Sequence, residues 1–117
     1  MILSLIKINP HPKTRHEILD ILRNAECITR TKTGCSEVAV FLKKFEEEVI
    51  LYLEQWQSRE DFERHVRSSQ YDRILAALDL AWDLPEIEFF EYYGLVGGME
   101  VIEAIRTGGT RKDDALT

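Results

Sequence analysis

Residues 48–71, EVILYLEQWQSREDFERHVRSSQY, pass from one hydrophobic period to another within a few positions. Over 48–56 the β-branched and aromatic residues alternate with a period of two, as a strand requires. Ser58-x-x-Asp61 then reads as a helix cap, with Glu60 and Asp61 placed for the positive end of the helix dipole. Phe62, Val66 and later Ile74, Leu75, Leu78 and Trp82 continue at helical spacing, and Ser68-Ser69-Gln70 suggests a break or bend. Pro85 ends the region, since proline restricts the residue before it and donates no backbone N–H.

Upstream, Ser36–Phe45 alternates as a second strand. The acidic turn Glu46–Glu48 makes it a hairpin partner of the first, and Thr33-Gly34 turns the chain into it. Before that, residues 15–30 carry Ile18, Leu22 and Ala25 at i, i+4, i+7, with Leu19 and Ile21 beside them, so a helix is predicted. Thr14-x-x-Glu17 has the spacing of a capping box. Residues 2–8, ILSLIKI, form another strand, closed by Asn9-Pro10-His11-Pro12. Downstream, 86–93, EIEFFEYY, read as a fourth strand. Gly94, Gly97 and Gly98 mark a loop, 99–107 a short helix, and 108–117 a flexible tail.

The order is β-α-β-β-α-β plus a C-terminal helix, which is the split βαβ, ferredoxin-like α+β arrangement in a single domain over 1–107. Strand parity separates Val49, Leu51 and Leu53 from Ile50, Tyr52, Glu54 and Trp56, and Val38, Val40 and Leu42 from Ala39, Phe41 and Lys43. The aliphatic set is expected beneath the helices. The second set, with Phe41, Tyr52 and Trp56, is too apolar for water and is expected to be covered by a second copy, giving a two-fold dimeric α+β barrel. Tyr52, Glu54 and Trp56 place a hydroxyl, a carboxylate and an indole along one strand. That chemistry fits the polar rim of a dimer core or a small-molecule pocket.

The 117 residues hold 15 basic and 21 acidic side chains, a formal charge of −6, which argues against nucleic acid or an anionic membrane as partner. No apolar run approaches the ~18 residues of a membrane helix, and no signal-peptide pattern opens the chain, so a cytoplasmic protein is expected. Cys27 and Cys35 read as free, inert thiols, and His11, His16 and His65 lack zinc-ligand spacing, so no metal is expected. No Lys-Ser/Thr follows Gly94-x-x-Gly97-Gly98, so it is not a phosphate-binding loop.

The pattern Glu54-Gln-Trp56-Gln-Ser58-x-Glu60-x-Phe62-x-x-His65-Val-x-Ser68-x-x-Tyr71, with Gly34-Cys35 before the second strand, resembles the antibiotic biosynthesis monooxygenase domain family over about residues 2–107. The resemblance implies a homodimer with a site between sheet and helices in each subunit. It also implies oxidation of a small phenolic or quinol-type aromatic by O₂ without a cofactor. In that reading His65 is the candidate base, while Trp56, Tyr52, Tyr71, Asn9, Phe41 and Glu54 line the substrate site. A structural, hydrogen-bonding His65 and a non-enzymatic ligand-binding or pathway-accessory dimer stay open beside it. Haem-degrading relatives bear an iron-binding histidine four residues after the motif's aromatic; here that position is Leu75, which cannot ligate iron.

Overall fold

The computed structural model describes residues 1–43, 49–93 and 98–108. Among these the elements run β1 (Ile2–Ile8), α1 (Arg15–Arg30), β2 (Cys35–Leu42), β3 (Ile50–Trp56), α2 (Arg59–Val66), α3 (Tyr71–Asp79), β4 (Glu86–Glu91) and α4 (Met99–Arg106). The expected turn at 46–48, Gly94, Gly97 and the tail from 109 onward lie outside the described residues. The strands form one sheet in the order β2-β3-β1-β4, every neighbouring pair antiparallel. Since β1 and β2 flank β3, and β3 and β4 flank β1, each helical connection crosses over one strand. This is the ferredoxin-like α+β fold expected from the element order.

The break inside the second helical region is real. α2 stops at Val66, where the Ser68 hydroxyl donates to the His65 carbonyl at 2.6 Å, and α3 begins at Tyr71. The Ser58 side chain caps α2 by accepting from the Asp61 N–H at 3.1 Å. Thr14 does not cap α1 in the same way. Its hydroxyl donates instead to the carbonyls of His11 (3.3 Å) and Leu80 (3.0 Å), tying the start of α1 to the end of α3.

The faces of β3 are the reverse of the expectation. Ile50, Tyr52, Glu54 and Trp56 are buried within the single chain, whereas Leu51 and Leu53 are only half-buried. The cause is the β1 register. Ile2, Ile6 and Ile8 pair with Trp56, Tyr52 and Ile50, and this common face packs against Ile18, Leu22 and Ala25 of α1 and Ile74 and Ala77 of α3. The polar heads of Tyr52, Glu54 and Trp56 can be buried there because they hydrogen-bond to one another. On β2 the expectation holds for Val38, which pairs with Glu54 and is buried. Phe41 pairs with Leu51 on the opposite, helix-free face and is half exposed.

That helix-free face remains apolar. Ala39, Leu53 and Leu5 lie side by side across β2, β3 and β1; Phe41 neighbours Leu51, and Leu3 neighbours Phe90. The greasy uncovered surface read from the sequence therefore exists, but it is made by the other set of β3 side chains.

Candidate functional site

Glu54 is the centre of a buried polar chain. Its side chain is 1% exposed, and both oxygens are occupied. Oε2 accepts from the Tyr52 hydroxyl at 2.7 Å and lies 2.9 Å from His65 Nε2; Oε1 accepts from Trp56 Nε1 at 3.0 Å. Tyr52 and Trp56 reach it because residues two apart on a strand share a face. His65 reaches it from the last turn of α2.

Rings hold the imidazole from two sides. Trp56 lies 4.7 Å away, tilted by 32°, and Tyr71 meets it edge-on at 5.2 Å. Such packing leaves His65 little rotational freedom.

The other ring nitrogen faces a cation. Lys32 Nζ sits 2.9 Å from His65 Nδ1 and donates to Ser68 Oγ at 3.1 Å. An ammonium has donors and no acceptor. Nδ1 therefore accepts from Lys32, so the proton of the neutral imidazole resides on Nε2 and is donated to Glu54. The carboxylate thus orients the ring and sets the tautomer, as carboxylates do for histidine bases and metal ligands.

The surrounding groups are tuned by burial. Burial, followed by the charge and hydrogen bond of Glu54, raises Tyr52 far above the ordinary phenol range against a smaller opposing hydrogen bond from Thr29. Burial and then Glu54 push Tyr71 up to about 12. Both phenols stay protonated at neutral pH, which excludes them as bases there. Burial lowers Lys32 against the raising pull of Glu54 and Cys35. The Cys35 thiol is raised, first by burial and then by Glu54, which disfavours the reactive thiolate.

An open cleft of about 430 Å³ lies over this chain, lined by Thr31, Lys32, Trp56, Arg64, His65 and Ser68 among others. His65 and Trp56 form its floor with almost no exposed area, and Lys32 lies across the Nδ1 edge. Gly34 follows Thr33, a lining residue of the cleft. The φ of Gly34 is +88°, and a Cβ there would fall 2.3 Å from Asp61 Cγ. Only glycine lets the β2-entry turn approach α2 so closely.

Of the residues singled out in the sequence, Tyr52, Glu54, Trp56, His65 and Tyr71 are brought together. Asn9 is exposed beyond β1, where its carbonyl accepts from the Trp82 N–H at 3.0 Å. Phe41 is on the far side of the sheet. Leu75 is an exposed residue of α3, about half open to solvent. Lys32 and Ser68 complete the site and were not among the expected residues. The His65-x-x-Ser68 spacing marks Ser68 as a neighbour of the histidine, but nothing local marks Lys32, which is 33 positions from its partner. Among the described residues no group of three or more His, Cys, Asp or Glu is arranged to hold a metal, and no helix is long and apolar enough to cross a membrane.

The family model described as antibiotic biosynthesis monooxygenase matches residues 1–77. Among curated proteins, none matches the chain. A Deinococcus radiodurans structure provisionally described as an antibiotic biosynthesis monooxygenase superposes with a TM-score of 0.74 at 19% identity, covering 85% of this chain and 99% of its own. A conserved protein from Methanosarcina mazei gives 0.71 at 20% identity over 79% and 92%. Rv0793 from Mycobacterium tuberculosis gives 0.71 at 18% over 82% and 98%. At these identities the likeness is one of fold.

Proposed function

The chain belongs to the antibiotic biosynthesis monooxygenase family, and on that premise we propose that it oxidises a small phenolic or quinol-type aromatic with O₂, His65 serving as the base and no cofactor taking part. The observation that carries this reading is the Glu54–His65 pair. A buried carboxylate 2.9 Å from Nε2 fixes the proton there and turns the bare Nδ1 toward a cleft of small-molecule size. When Lys32 swings aside on its flexible stem, a substrate hydroxyl can reach Nδ1 and give up its proton.

The resulting anion is electron-rich enough to react with O₂. For a quinol the balance closes without an outside reductant: one oxygen atom enters the ring to give a hydroxyquinone, and the other leaves as water with the two hydrogens. Glu54 stabilises the imidazolium that forms, and Trp56 and Tyr71 hold the ring in place.

The test is oxygen uptake on a panel of quinols and phenols. Wild type should consume O₂ above buffer with at least one of them, and His65→Ala should lose on the order of 100-fold or more. No uptake by wild type, or full activity in His65→Ala, overturns the reading. With Leu75 at the relatives' iron-ligand position, added haem should show no histidine-ligated Soret shift.

One observation favours a second reading, a non-enzymatic ligand-binding dimer. Tyr52, Glu54 and Trp56 are each about 1% exposed, and their polar atoms are satisfied by one another, so the cluster also serves as a polar pin in the core. That reading expects ligand-induced thermal stabilisation without oxygen uptake. In both readings the helix-free sheet face is where a second copy packs.

A further inference from the structure

Lys32 has an unusual position for a cation. Its two hydrogen-bond partners, His65 Nδ1 and Ser68 Oγ, are both neutral acceptors, and among the described residues no carboxylate lies within ion-pair distance of it. The other cation of the cleft, Arg64, is already paired with Asp61 at 2.9 Å. Glu54 lies behind the imidazole with its oxygens taken by Tyr52, Trp56 and His65, so it neutralises Lys32 only across the ring. An ammonium carries three N–H donors, and two are accounted for.

We infer that Lys32 is the anion-recognition residue of this cleft, held by Ser68, and that the ligand is an aromatic molecule bearing an ionised oxygen, a phenolate or a carboxylate. The inference rests on the cleft being the ligand site, as in the function proposed above, but does not require turnover. Partial burial strengthens a charge-assisted hydrogen bond relative to one in open water. Burial also strips water from the ammonium, which lowers its basicity against the raising pull of Glu54, and among the described residues no counter-charge replaces that water at contact distance. An oxyanion in the cleft would supply that charge and draw the ammonium off Nδ1. For a phenol the same movement frees Nδ1 to take the proton: the O–H bond breaks, an Nδ1–H bond forms, and the phenolate stays beside Lys32.

Binding of matched probes tests this directly. 4-Nitrophenolate is compared with 4-nitroanisole, and benzoate with benzamide, on wild type, Lys32→Met and Lys32→Arg by calorimetry or ligand-observed NMR. Wild type should prefer at least one anion over its neutral counterpart by about tenfold. Lys32→Met, which keeps the stem, should abolish the preference, and Lys32→Arg should restore part of it. A preference confined to the first pair assigns a phenolate; one confined to the second assigns a carboxylate. Equal binding of anion and neutral isostere, no anion binding, or a preference that survives Lys32→Met overturns the inference. Anion preference without oxygen uptake would sink the monooxygenase reading alone; uptake without anion preference would sink this one alone.

Discussion

At the residue scale the structure turns on one buried carboxylate facing three donors. Replacing Glu54 by Gln keeps the shape but sets an amide NH₂ among the donors of Tyr52, Trp56 and His65, leaving donors unpaired in a dry site. Leaving buried donors unpaired costs about 1–3 kcal/mol, so the urea midpoint of Glu54→Gln should fall accordingly. An unchanged midpoint would mean that the carboxylate is not held as described. The two buried phenols give a pH dependence of definite sign. Their folded pKa values lie above the ordinary ~10 of an unfolded tyrosine, so above that pH the unfolded chain releases protons that the folded chain retains. Their contribution is complete below about pH 10 and is lost as pH rises toward the Tyr71 value of about 12. Lys32, lowered by burial, acts in the opposite direction, but it is only partly buried. Urea titrations between pH 9 and 11.5 should show a shallower decline for Tyr71→Phe than for wild type; equal slopes would contradict the assignment.

At the scale of elements, the junction between the β2-entry turn and α2 positions the cleft. Gly34 at φ +88° almost touches Asp61, whose backbone N–H bonds the Ser58 cap and whose carboxylate pairs with Arg64. Gly34→Ala should therefore destabilise by more than about 1 kcal/mol, through both the backbone strain and the clash. Ser58→Ala should cost about 1 kcal/mol through the lost cap alone. Thermal or urea unfolding distinguishes the two, and a Gly34→Ala protein as stable as wild type would show that the close approach is not obligatory. The order of elements, the hairpin of β2 with β3 and the break at Ser68 were legible because each is written locally, in period, cap and turn residues. The inactive capping box at Thr14 was not, because its hydroxyl is claimed by Leu80, 66 positions away.

At the scale of the molecule, one face of the sheet lies under the helices and holds the Glu54 cluster, and the other is helix-free and apolar. Parity separated the two side-chain sets of β3 correctly, but it could not say which set lay under the helices. Aliphatic residues normally mark the inner face, and here the inner face carries Tyr52, Glu54 and Trp56 because their polar atoms satisfy each other. Only the register against β1 decides the matter, and register is a long-range property. The site was half legible for the same reason. Strand spacing and the family pattern gathered Tyr52, Glu54, Trp56, His65 and Tyr71, whereas Lys32 arrives through tertiary packing. The helix-free face, with Leu5 and Leu53 directly paired at its middle, should bring two chains together at micromolar concentration. Sedimentation velocity should give a dimer for wild type and a single folded chain for Leu53→Lys; a monomeric wild type would contradict the barrel.

The proton on the His65 ring is the most direct test, because the proposed chemistry requires a bare Nδ1 toward the cleft. Long-range ¹H–¹⁵N correlation of the histidine side chains in the neutral form should show His65 fixed with its proton on Nε2, and Glu54→Gln should loosen that preference. A ring protonated on Nδ1, or one exchanging freely between the two tautomers in wild type, would contradict the account.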